Sequence, residues 1–183
     1  NDISNLPSDS SIRKNSTAVA HITIPLKQSR CTGFLVAKIN FFDLDGEDIN
    51  INSKTSISYL NHSHPNTATS YRINVDGHSV VYTTDCEHPD GTLNTNVIQI
   101  ANKCDILIHD SHYTINDLSN HKGWGHSSWK QAVDVAITSG AEQLILFHYS
   151  PNYDDSQVDL NEKNAQKKFI NTIASYQGLS IDL

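Results

Sequence analysis

The chain predicts an α/β domain built on a mixed sheet with helices laid against it. Three observations carry that expectation. Strand-like runs and a hairpin fill the first half, helix and strand patterns alternate through the second, and no repeat, linker or low-complexity block divides the 183 residues. That length suits one domain, or one large part of a domain, and is enough to bury a core.

Taken in order, residues 1–18 are rich in Asn, Ser and Asp and read as a poorly ordered lead-in, leaving 19–183 as the folded part. "AVAHITIPL" and "FLVAKINFFDL" carry β-branched and aromatic runs that read as strands, and "TSISYL" follows as another. After the turn-rich "NHSHPNTATS" comes a hairpin. Asp76-Gly77 is its turn pair, with Tyr71–Val75 and Ser79–Thr83 as the flanks. From Leu93 to Lys103, Val97, Ile100 and Ala101 predict a short amphipathic helix, and "DILIHD" then reads as a buried strand. In "GWGHSSWKQAVDVA", Trp129, Ala132, Val133, Ala136 and Ile137 fall on one helical stripe. Ser127 or Ser128 is its N-cap and Gly140 its left-handed end. "QLILFHY" is another buried strand, Asp159 to Tyr176 a charged helix ending near Gly178, and "LSIDL" a last strand.

Composition narrows the function classes. A net charge of −7 argues against a broad phosphate-binding surface, so a long nucleic acid is less favoured than a small ligand. Mean hydropathy is −0.43 and no run approaches the roughly 20 apolar residues that span a bilayer, which predicts a soluble chain without a membrane partner. Three widely spaced cysteines without a CxxC pair argue against a disulfide framework or zinc knuckle and favour a reducing, cytoplasmic setting. Methionine is absent even at position 1, where Asn1 stands, so a processed or truncated chain is expected.

The residues with chemistry sit where strands stop. Asp85 closes "YTTD", Asp110 closes "LIHD", and His148 follows "LILF"; His126 lies between the last two, and His62 and His64 precede the hairpin. Carboxylates and imidazoles at one edge of an α/β sheet suit zinc, manganese or iron. Structural readings stand beside that one: His64-Pro65 as a turn, Asp85 as a loop cap, Asp110 as a cap through Ser111 or Tyr113. His126 adds nothing to helix formation before an N-cap and, taken alone, reads as a surface residue; His148 is harder to explain structurally, because a polar residue directly after "LILF" lies at the lip of a buried strand. His78, His88, His109, His112 and His121 read as surface residues or outer supports. Trp124 and Trp129 read as packing residues, with Trp124, between two glycines, able to line a mouth.

Together, "HP…YRI…DG.SVVYTTDCEHPDG…CDILIHDSHYT…GWGHSSW..AVDVA…LILFHYSPNYDD" resembles the C-terminal half of the metallo-β-lactamase fold. The phosphodiesterase-like branch is the nearer match, with its tRNA 3′-processing endonucleases and relatives of cyclic-phosphate phosphodiesterases. The similarity runs from about Ile22 to Asp155. It implies a layered α/β fold of mixed sheets flanked by helices, and a hydrolase using two divalent metal ions, zinc first and manganese or iron as alternatives.

By that resemblance His64 takes the place of a ligand of the first metal, with His62 as its competitor. Asp85 takes the place of the bridging aspartate and His148 that of the last ligand. Asp110 and His126 resemble the acid–histidine pair that assists the leaving oxygen. The family's HxHxDH motif is absent from this sequence. The expectation is therefore a phosphodiester hydrolase of small or cyclic nucleotide-like substrates, with an incomplete metal set. Such a chain would self-associate as a homo-oligomer or pair with a missing N-terminal segment. The alternative is a non-catalytic binding or regulatory module that keeps the fold.

Overall fold

The structure is a computed structural model and describes residues 18–23, 38–44 and 46–183. Most of the expected lead-in, Cys31 and the ends of the first two strand motifs lie outside the described residues. The chain divides into two units, residues 1–47 and 48–183. In the first, β1 (Ala18–Thr23) and β2 (Lys38–Asp43) form an antiparallel ladder, with Ala18 opposite Asp43.

The second unit is a seven-stranded sheet in sequence order: β3 (Ile49–Asn52), β4 (Thr55–His62), β5 (Ala68–Val75), β6 (His78–Thr83), β7 (Ile106–Asp110), β8 (Gln143–Phe147) and β9 (Thr172–Ala174). β3 to β6 are antiparallel, and β6 to β9 are parallel. The switch has a local cause. Asp76-Gly77, both at positive φ, close a tight hairpin between β5 and β6. After β6 each return needs a crossover, and helices supply it. These are α1 (Thr95–Ile100), α2 (Ile115–Leu118) with α3 (Trp129–Ser139), and α4 (Asp155–Gln166).

α1, α3 and α4 pack on one face of the sheet and on each other. Val81, Leu107, Leu144 and Leu146, from β6, β7 and β8, are wholly buried there against Val97, Ala132, Val133 and Ala136. Each such leucine or valine contributes on the order of 2 kcal/mol by leaving water, and each alanine less. The opposite face carries the alternate residues Val80, Tyr82, Ile106, Ile108, Ile145 and Phe147, which line one shallow apolar cavity with Tyr176, Leu179 and Ile181. Among the described residues no helix is long and apolar enough to cross a membrane.

Several sequence expectations are corrected. α4 begins at Asp155, earlier than expected, because the Asp154 carboxylate caps it by accepting the Gln157 N–H at 2.9 Å. It ends at Gln166, where the Lys168 and Phe169 N–H groups both turn back to the Ala165 carbonyl. Thr172–Ala174, expected to be helical, is the edge strand β9, and no strand forms over 179–183. On α3 the inward face is wider than the stripe suggests: Val135 is wholly buried, whereas Ile137 is exposed. Ser128 is the N-cap, in a reciprocal box with Gln131. β3 and α2 carry no periodic apolar signal and went unread.

Candidate metal centre

Parallel β6, β7 and β8 end at the same edge, so the residues just past them meet. Asp85 lies two residues beyond β6, Asp110 ends β7, and His148 follows β8. Asp85 and His148 both adopt left-handed backbone, with φ of 54° and 62°. Asp and His tolerate that region better than most residues, but it still marks a site where the surroundings dictate the backbone.

One carboxylate oxygen is the geometric centre. His148 Nε2 lies 3.5 Å and His64 Nε2 4.0 Å from Asp85 Oδ1. Both separations exceed hydrogen-bond length, so two ring nitrogens and a carboxylate oxygen face a common space. The donor set fits a pair of divalent cations of the zinc class, with a carboxylate between two imidazoles. Asn66 N–H reaches His64 Nδ1 only at 3.4 Å and therefore fixes that ring's tautomer weakly. His62, the sequence competitor, is 6% exposed and has no hydrogen bond at either ring nitrogen. His64 is the one whose ring meets Asp85.

Asp110 holds the surroundings together. It is fully buried and its carboxylate accepts four N–H groups. Oδ2 takes the Asp85 backbone N–H at 3.0 Å and His126 Nδ1–H at 3.0 Å, and Oδ1 takes the backbone N–H groups of His112 at 3.1 Å and Ser127 at 3.0 Å. Four donors shared between its two oxygens fix the orientation of this buried carboxylate. Its hydrogen bond raises the pKa of His126 above the ordinary histidine value, against the opposing effect of burial. With Nδ1–H committed to Asp110, the Nε2 side of His126 remains for other chemistry.

Sequence reading missed His112. Its ring stacks on His126 with centroids 4.2 Å apart, and Nδ1–H donates to the His148 carbonyl at 3.0 Å. The ligand atoms of His112, His126 and His148 all lie within 4.8 Å of one another. Burial and the neighbouring His126 lower the pKa of His112. A clue was present: in "HDSHYT" His112 stands two residues past the strand-ending aspartate, where an Asx-type turn brings the chain back.

The mouth is set by Glu87, which also escaped the sequence reading. Its two carboxylate oxygens accept the Gly123 and Gly125 N–H groups at 2.6 and 2.9 Å. Gly125 has φ of 89°, and a Cβ there would stand 2.6 Å from His64 Nε2 and 2.8 Å from Pro65 Cδ. Only glycine lets this loop lie against the His64 ring. Ser127 Oγ donates to the Cys86 carbonyl, which ties the segment down just before the Ser128 cap. His126 is thus placed at the helix entrance by bonds on both sides of it. Trp124 is 61% exposed at the loop tip, edge-on to His121; Trp129 is buried.

Of the two readings given for His88 and His109, surface residue or outer support, the structure removes the first. Neither is on the surface: His109 is fully buried and His88 5% exposed, their rings stacked at 5.4 Å. His109 shares strand parity with Leu107 and so points to the helix-covered face. Burial lowers the pKa of both, that of His88 to about 3. Cys86 and Cys104 are buried free thiols, the former pushed up to about 12 by burial.

The β-lactamase superfamily domain family matches residues 4–149. The chain belongs to the β-lactamase superfamily. Among curated relatives, ribonuclease Z of Picrophilus torridus is 38% identical over 88 residues, covering 47% of this chain and 26% of the relative. Ribonuclease Z of Gemmatimonas aurantiaca is 33% identical over 107 residues, covering 58% of this chain and 32% of the relative. The matched region thus spans about a third of such relatives or less. Among solved structures, the metallo-β-lactamase fold protein YhfI of Bacillus subtilis has a TM-score of 0.60 and 25% identity, over 73% of this chain and 51% of that one. The short form of human tRNase Z has a TM-score of 0.58 at 16% identity, over 74% of this chain and 46% of that one, a likeness of fold.

Proposed function

We propose that this chain contributes to the dinuclear centre of a phosphodiester hydrolase. His64, Asp85 and His148 would hold the cations, and Asp110 with His126 would deliver the proton to the leaving oxygen. The observation that carries the reading is the Asp85 carboxylate between two imidazole nitrogens with the Asp110–His126 pair beside it. His126 ring centroids lie 5.1 Å from His148 and 6.1 Å from His64. Two divalent cations, zinc favoured by the donor set, would supply Lewis acidity to the phosphate and lower the pKa of water there.

The rest is the work of this chain's residues. Asp110 accepts Nδ1–H of His126, orients the ring and stabilises its charged form. His126 Nε2–H is then the acid positioned to protonate a departing alkoxide, a step that typically contributes 10²–10⁴-fold, in order of magnitude. A phosphodiester needs such an acid because its alkoxide leaves poorly, which favours it over a lactam or thioester. Glu87 and Gly125 hold the loop that fixes His64. The net charge of −7 favours a small diester on this surface. RNA is the second reading, favoured by the names of the ribonuclease Z relatives.

The test is hydrolysis of bis-(p-nitrophenyl) phosphate and of an RNA with a 3′ extension. The zinc- or manganese-loaded chain is assayed alone and with the HxHxDH-bearing half of a ribonuclease Z relative added in trans. The complemented wild type should turn over the diester, and His126→Ala should lower turnover about 100-fold or more with metal content unchanged. Loss of metal in that variant would reassign His126 as a ligand. A fully loaded, complemented chain that cleaves neither ester would leave the non-catalytic reading.

A further inference from the structure

On the helix-covered face, behind the cleft, a cysteine and three histidines gather out of water. Cys86 and His109 are fully buried, His88 is 5% and His62 6% exposed. Among the described residues four ring nitrogens there have no hydrogen-bond partner: both of His62, Nε2 of His88 and Nε2 of His109. Orphaned buried polar atoms are rare singly, and four in one cluster indicate a missing ligand. The ligand atoms of Cys86, His88 and His109 lie within 4.8 Å of one another. Tetrahedral zinc would hold such atoms about 3.5 Å apart, a closure within reach of side-chain torsions.

The tautomers bear on what fits. His109 Nδ1–H donates to the Asp110 carbonyl at 2.7 Å, so Nε2 presents a lone pair to the cluster. Metal-binding imidazoles usually make such an outer hydrogen bond.

The geometry points to a second metal site, out of water, in which Cys86 Sγ and the imidazoles of His88 and His109 hold one zinc-class cation. Sulfur with imidazole selects zinc over magnesium, calcium or manganese. On binding, the Cys86 S–H proton leaves to solvent as the sulfur–metal bond forms. His88 Nδ1 accepts the Asn94 N–H at 3.0 Å, which leaves the ring proton on Nε2. Coordination through Nε2 moves that proton to Nδ1 and releases the Asn94 N–H, so one proton departs per cation and no electron is transferred. A cation there would pin together the loop after β6 and strand β7. Cys86 adjoins Asp85 and His109 adjoins Asp110, so the pin would sit directly behind the cleft.

Sulfur separates this site from the cleft, whose donors are carboxylate and imidazole only. The 183-residue chain is stripped with chelator and titrated with cobalt(II), following the near-ultraviolet sulfur-to-cobalt charge-transfer band. The wild type should develop that band with one cobalt per chain. His148→Ala and Cys104→Ser should keep it, and Cys86→Ser should lose it while still binding cobalt in the cleft. A wild type that takes up cobalt without a sulfur band overturns the site, as does a band that survives in Cys86→Ser. The wild-type titration alone decides the matter if a variant fails to fold, and neither outcome depends on hydrolysis.

Discussion

His112, His126 and His148 meet in a cleft where each ring or its backbone is tied to a neighbour, and water reaches all three. His88 and His109 stack out of water, with His62 buried too, and among the described residues each of the three rings keeps at least one nitrogen unbonded. The residue type is the same, so the environment makes the difference. In the cleft Asp110 supplies a negative acceptor and His126 is drawn toward the charged form. In the dry cluster no carboxylate is hydrogen-bonded to a ring, burial dominates, and the rings are held neutral. Asp110 joins the two groups: its carboxylate faces His126 and its carbonyl accepts from His109.

That junction predicts the largest effect. Asp110→Asn replaces one acceptor oxygen by an amide N–H₂ directed at two N–H donors in a fully buried position. The cost should be about 3–5 kcal/mol, as for a buried pair losing its charge, read as a lower urea midpoint at unchanged slope. The His126 pKa, followed by NMR, should fall in the same variant. A cost below about 1 kcal/mol would mean that Asp110 does not organise both groups.

Acid and base should act oppositely on the two groups in the metal-free chain. The folded pKa values of His88 and His109 lie below the unfolded 6.5, so the unfolded chain binds more protons at acid pH. Their contribution is full above the unfolded value and is lost as pH falls, for His88 from 6.5 down to about 3, at no more than about 1.4 kcal/mol per pH unit for each ring. His126 has the reverse sign: its contribution is full below the unfolded value and is lost as pH rises through the raised folded value. Urea midpoints measured across pH should show both limbs, with His88→Gln flattening the acid one and His126→Gln the other. A single limb common to both variants would erase the distinction.

The smallest effect is the most discriminating. His62→Leu removes two unbonded polar atoms from a nearly dry position, so in chelator the variant should match or exceed the wild type by about 1 kcal/mol. Zinc should then raise both chains alike, since Cys86, His88 and His109 remain in each. Thermal melts in the two buffers check it.

The sequence made the frame legible because strand patterns such as "DILIHD" and "QLILF" depend on nearest neighbours. The stripe on α3 and the Asp76-Gly77 turn were readable for the same reason. The strand-ending Asp85, Asp110 and His148 could be picked out as positions, since the parallel order of β6 to β8 brings such ends together. Glu87 could not, because its partners Gly123 and Gly125 lie 36 and 38 residues away. His88 could not either: it is buried by a fold-back in which its ring accepts from Asn94. His109 was readable in principle from its parity with Leu107, but a histidine beside an aspartate resembles a surface pair. β9 was hidden because the charged pattern of α4 runs on without a glycine or proline, and its end is fixed by Gln166 Nε2 bonding the Thr172 carbonyl.

The close seating of Gly125 on His64 also makes the loop an observer of the cleft. An imidazole this near a glycine shifts the resonances of that glycine's amide and α-protons through its ring current, and a glycine amide is easily found in a nitrogen–proton spectrum. Anything that turns or titrates His64, whether a cation, a substrate analogue or a proton, will register at Gly125 before any chemistry is measured. Gly123, bonded to the same Glu87 carboxylate but with open space where its Cβ would be, serves as the internal reference for movement of the whole loop.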